Sequence, residues 1–112
     1  MENLRPKIKL MADYDCWPIW GVSEVGNIDP NTLPLSVVTQ KALAKWARTY
    51  DGTLNRADPI QSGFETSEEA IAFNMEGWRL WECLQRELPN FKVVYFDNEL
   101  GRVFDERPAG IS

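Results

Sequence analysis

The chain has 112 residues, 44% of them hydrophobic and 12% aromatic, enough for one packed domain without disulfide staples. Seventeen acidic against twelve basic residues give a net charge of −5, which disfavours nucleic acid as a partner and suits a basic protein or simple solubility. There is no histidine, so the commonest general base, the commonest zinc ligand and the usual activator of a nucleophilic Ser or Cys are all missing.

No apolar run approaches the roughly 18 residues that cross a bilayer. The opening Met1–Pro6 lacks the apolar core of a signal peptide. A cytoplasmic protein without membrane contact is expected, with Cys16 and Cys83 as free thiols.

The chain reads as a single domain, 1–112. From Lys7 to Tyr14 apolar and polar residues alternate, predicting a half-buried strand over 6–14 whose lysines guard a sheet edge. Trp17–Val22 reads as a short second strand, held to an edge or bulge by Pro18. Ser23–Leu35, punctuated by Gly26-Asn27, Asp29-Pro30 and Pro34, reads as a loop. At about a dozen residues it is long for a connector and suits a binding surface.

Ser36 is a good N-cap for a helix over 37–50, with Leu43, Trp46, Ala47, Tyr50 and Leu54 as its buried stripe. Lys41, Lys45 and Arg48 mark the wet side, and Gly52 is expected at a left-handed stop. A second irregular stretch, Thr53–Glu65, contains the turn pairs Asp58-Pro59 and Ser62-Gly63, with Asn55 and Asp58 expected to satisfy loop backbone. Thr66 and Glu69 form a capping box that opens a helix over 67–88, stopped by Pro89.

That helix buries Ala70, Phe73, Gly77, Trp81, Leu84 and Leu88, widened by Ile71, Met75 and Trp78. Asn74 falls on the same face and should hydrogen-bond a buried backbone group. Gly77 predicts a close crossing with the first helix, and Cys83 reads as partly exposed. Strands are predicted over 91–97 and 102–105, joined by the Asn98–Gly101 turn, and Glu106–Ser112 is expected to fray. The fold class is therefore α+β: a small, mostly antiparallel sheet in the order β-β-α-α-β-β, with two helices on one face.

The densest chemistry lies in Asp13–Gly21, which holds two Trp, a Tyr, two carboxylates, a Cys and a Pro. On a regular strand Asp13 and Asp15 would share a face and could hold a divalent cation; the plainer reading makes Asp15 a turn residue at the strand exit. Cys16, beside two acids and without a histidine, reads as a buried, inert thiol. Trp17 and Trp20 would point to opposite faces, so that one can join the core while the other stands out as an interface residue, unless the 24–35 loop folds back over the second and both are core.

Several segments carry a family resemblance: Leu10–Tyr14 with Cys16, Pro18 and Trp20; Gly26–Pro30 with Leu33–Ser36; Trp46, Tyr50-Asp51 and Leu54-Asn55; and Asp58-Pro59 with Ser62–Phe64. Over residues 7–96 the chain resembles a family of small acidic bacterial proteins, some similar to immunity proteins encoded beside secreted toxins, including contact-dependent growth-inhibition systems. The tail after Asp97 departs from that pattern. The resemblance implies no catalytic motif, no enzyme activity and no cofactor. It implies a protein that masks a toxin domain, expected to be a basic nuclease. Asp13, Asp15, Asp29 and Asp58 would meet its lysines and arginines, and Trp17 or Trp20 would anchor the contact. The alternatives are a metal-dependent or substrate-binding module using Asp13 and Asp15, and a homo-oligomeric structural subunit.

Overall fold

Five strands, β1 (Lys7–Leu10), β2 (Ile19–Gly21), β3 (Gly26–Ile28), β4 (Lys92–Asp97) and β5 (Arg102–Phe104), form one sheet in the order β3-β2-β1-β4-β5. The computed structural model describes residues 5–55, 57–58 and 62–108. Three pairings are antiparallel, and β1 pairs with β4 in parallel, with Ile8 opposite Val93 and Leu10 opposite Tyr95. A parallel neighbour needs a long crossover. That crossover holds two helices, α1 (Val37–Asp51) and α2 (Ser67–Glu87), after a 3₁₀ turn at Pro30–Thr32.

The fold is α+β and the sheet mostly antiparallel, but it differs from expectation in three ways. The element order is β-β-β-α-α-β-β, because Gly26–Ile28, read as loop, pairs with β2. And β1 lies at the centre, not at an edge, flanked by β2 and β4. Strand geometry in β1 also stops at Leu10 instead of Tyr14. The Met11 N–H still donates to the Pro18 carbonyl, after which the chain turns back on itself. Pro18 sits just ahead of β2, where its missing N–H costs no ladder bond.

The helices begin as their caps dictate. Ser36 Oγ accepts from the Thr39 N–H at 3.1 Å, and Thr66 Oγ1 accepts from the Glu69 N–H at 3.1 Å. At the end of α1, Gly52 keeps right-handed backbone (φ −67°) instead of the expected left-handed stop. The last turn instead tightens through Thr53 N–H to the Tyr50 carbonyl and Leu54 N–H to the Asp51 carbonyl.

Aromatic rings fill the space between helices and sheet. Trp46 stacks on Phe73 at 4.5 Å, and Trp78 meets Tyr95 edge-on at 4.6 Å. Each buried indole has an acceptor: Trp46 donates to the Phe73 carbonyl, Trp81 to the Val93 carbonyl, and Trp78 to the Asp97 carboxylate. Gly77 faces this layer, not α1. A Cβ there would collide with the Tyr95 hydroxyl and ring, so the close approach is between helix and strand.

Ile71 and Met75 are exposed where burial was expected, because they fall past Trp78 around the helix, beyond the reach of the sheet. Cys83 is buried, not partly exposed, because the guanidinium groups of Arg79 and Arg86 fold over its thiol. The tail expected to fray is held as far as Arg107, whose guanidinium lies 6.0 Å from the Trp78 ring. Pro59 of the expected turn and Ala109–Ser112 lie outside the described residues. Among the described residues no helix is long and apolar enough to cross a membrane.

Candidate partner-binding surface

Past Leu10 the chain makes a tight turn instead of continuing as strand. The Cys16 N–H donates to the Asp13 carbonyl, Asp13 Oδ1 accepts from the Tyr14 N–H at 2.8 Å, and Asp15 takes positive φ (60°). A short polar residue tolerates that left-handed conformation best after glycine. Asp13 and Asp15 therefore do not share a strand face, and the arrangement that a shared cation required is not formed. Among the described residues no group of three or more Cys, Asp or Glu is placed to hold a metal.

The turn is docked on the C-terminal end of α1. The Asp15 N–H donates to Asp51 Oδ1 at 3.0 Å. The Tyr14 hydroxyl meets Thr53 Oγ1 at 3.0 Å, and its ring stacks on Tyr50 at 4.6 Å. Cys16 is half-buried, less enclosed than expected. Burial and the fields of Asp13, Asp15 and Asp51 push its thiol pKa up, so it stays protonated and unreactive at neutral pH.

Trp17 follows and is 50% exposed. Its backbone is clamped at both ends by one side chain: the Trp17 N–H donates to Asn27 Oδ1 at 2.9 Å, and Asn27 Nδ2 donates to the Trp17 carbonyl at 2.7 Å. The indole borders a cleft of about 260 Å³ lined also by Cys16, Pro18, Asp29, Gln40 and Arg48. Asp29 thus joins Trp17, while its Oδ1 caps the 3₁₀ turn by accepting from the Asn31 N–H.

The structure gathers Asp13, Asp15, Trp17 and Asp29, but not the other two expected residues. Trp20 points to the far face of the sheet, where its indole N–H donates to the Met11 carbonyl at 2.9 Å. Asp58 is exposed in the 53–65 loop, where its N–H and that of Ala57 donate to Asn55 Oδ1. Sequence reasoning missed Asp51, which completes the acidic group. One signal was present: an acid in the last turn of a helix opposes the macrodipole, so a local partner is called for. That partner is the Asp15 N–H. A wider groove of about 1,030 Å³ lies between α1 and α2, floored by Trp46, Phe64 and Phe73. Its rim mixes Lys45 and Arg79 with Glu69 and Glu76, so it favours no charge.

A search of the curated proteins gave no match. Residues 6–98 match the family described as Serratia CdiI immunity protein-like.

Proposed function

The chain belongs to the Serratia CdiI immunity protein-like family, a family of inhibitors and not of enzymes, and we propose that it neutralises its cognate toxin by occlusion in the cytoplasm. Membership implies toxin neutralisation; the toxin's chemistry and the contact surface are our reading. We infer a basic toxin domain, such as a nuclease, seated on the Asp13–Trp17 turn. One observation carries this: Asp13, Asp15 and Asp51 gather around the Cys16 thiol, next in the chain to a half-exposed Trp17, on a turn braced against α1.

Each part has a task. The carboxylates complement lysines and arginines, chiefly by speeding association. Trp17 supplies the large apolar anchor typical of interface hot spots. The Asn27 clamp fixes the Trp17 backbone beforehand, which lowers the ordering cost on binding. Asp29 extends the acidic surface along the cleft, and Asp58 would reach only a partner large enough to span the 53–65 loop.

The test is binding of the purified cognate toxin domain, measured by surface plasmon resonance. Trp17→Ala should raise Kd by about 30-fold or more, mostly through dissociation. Asp13→Asn with Asp51→Asn should slow association about tenfold and flatten its salt dependence. Unchanged kinetics in both variants would move the contact elsewhere, and no wild-type binding at micromolar concentration would refute the role.

A further inference from the structure

We propose that the face of the sheet turned away from the helices is a second docking surface, shaped for a protein that presents carboxylates around an apolar centre. Strand alternation separates the two faces. Ile8, Leu10, Ile19, Val93 and Tyr95 point into the core shared with α1 and α2. The residues between them, among them Lys7, Lys9, Trp20, Lys92 and Phe96, point the other way and are half-buried. Register sets Lys9 beside Trp20, Lys7 beside Lys92, and Phe96 beside Val103.

This face runs against the net charge of the chain. Three lysines gather on the paired strands β1 and β4 of a protein with net charge −5. Asp105 reaches Lys92 at 3.9 Å, and no described carboxylate pairs with Lys7 or Lys9. Val94, on the same face, is only 2% exposed although neither helix covers it. Val103 at the rim is 44% exposed. The result is an apolar strip edged with positive charge.

Charge selects the occupant. A second copy packed face to face would set Lys7, Lys9 and Lys92 against their own copies, which disfavours a two-fold dimer. A nucleic acid would be repelled by the remaining acidic surface. A partner with local carboxylates and an apolar centre meets neither obstacle. The surface also lies apart from the acidic turn. Lys7 and Lys92 begin the parallel pair β1–β4, whereas Asp13–Trp17 follows the end of β1.

The experiment uses the ¹⁵N-labelled full chain, titrated with a random glutamate–tyrosine copolymer and followed by amide spectra. Shifts centred on Lys7, Lys9, Trp20, Lys92 and Val103 are expected, with binding weakened about tenfold by K7E/K9E and less by K7Q/K9Q. The glutamine pair keeps the test valid if the reversal disturbs folding. Equal binding of a lysine–tyrosine copolymer, or shifts centred on Trp17, would overturn the proposal. Tighter binding of oligouridylate at the same residues would overturn it in favour of nucleic acid. A molecular mass that doubles with concentration and reverts in K7E/K9E would overturn it in favour of self-association.

Discussion

Asp97 ends strand β4 and Asp13 lies in the turn that follows β1, and the fold treats these two carboxylates in opposite ways. Asp97 is fully buried and accepts four hydrogen bonds: from Asn74 Nδ2, the Trp78 indole, and the N–H groups of Glu99 and Leu100. Asp13 is exposed and accepts one, from the Tyr14 N–H beside it. A carboxylate saturated with donors is committed to the fold, because removing it strands every donor. A carboxylate left in water on a braced turn carries little of the stability and remains available to a partner. The variants below test that division.

The largest loss should follow Asp97→Ala. It would leave the Asn74 amide, the Trp78 indole and two hairpin N–H groups without acceptors, at a cost of roughly 3–5 kcal/mol in urea unfolding. Acidification tests the same site. Burial raises the Asp97 pKa, but the donors from Leu100, Asn74, Trp78 and Glu99 outweigh it, so the folded value lies below the ordinary 3.8. A depressed carboxylate contributes its full stability above the unfolded pKa and loses it as pH falls through the folded one. Unfolding free energy should therefore decline below about pH 4, and less steeply in Asp97→Asn.

Gly77→Ala comes next. The new methyl would meet the Tyr95 ring, which is held by Asn74 Oδ1 at 2.6 Å and packed edge-on against Trp78. Overpacking of this kind costs roughly 1–3 kcal/mol, despite the gain in helix propensity. A stability equal to wild type would mean that helix and strand can separate slightly without penalty.

Both positions show where sequence reasoning reached and where it stopped. The demand at Asn74 for a buried partner was legible, because a polar residue on an apolar helical face requires one. Asp97 as that partner was not, since the link spans 23 residues and depends on how α2 lies over β4. The close approach at Gly77 was legible too, but its partner is strand and not helix. Caps at Ser36 and Thr66 were readable because they are local. Strand β3 was not: Gly26-Asn27-Ile28 has little strand character and pairs only because β2 offers an edge. The same limit hid Asp51, which joins the acidic turn through a hydrogen bond across 36 residues. Asp13, Asp15 and Trp17 could be read as a group only because they adjoin in sequence.

A smaller loss, about 1 kcal/mol, is expected for Glu87→Gln. Glu87 ties the start of α1 to the end of α2 by accepting from the Thr39 hydroxyl and from the Ser36 N–H at 2.7 Å. The Thr39 bond leads in holding its pKa below the ordinary carboxylate value, against the opposing effect of burial. Glutamine keeps one acceptor oxygen and loses the charge, so the acid-side slope of stability should shrink slightly alongside the loss.

The smallest effect on stability separates the two regions most sharply. Asp13→Asn keeps an acceptor for the Tyr14 N–H and alters one exposed group, so unfolding should change by no more than about 0.5 kcal/mol. The Cys16 thiol should respond more than the fold does. Removing one of the three acidic fields that hold its pKa up, while burial still opposes the thiolate, should bring that pKa down. Thiol alkylation rate against pH measures the shift directly. A large stability loss with an unmoved thiol would place Asp13 in the same class as Asp97, as a part of the fold's own bonding. Near-wild-type stability with faster alkylation would mean that its charge is felt across the turn surface while the fold does not depend on it, as a carboxylate offered to a partner requires.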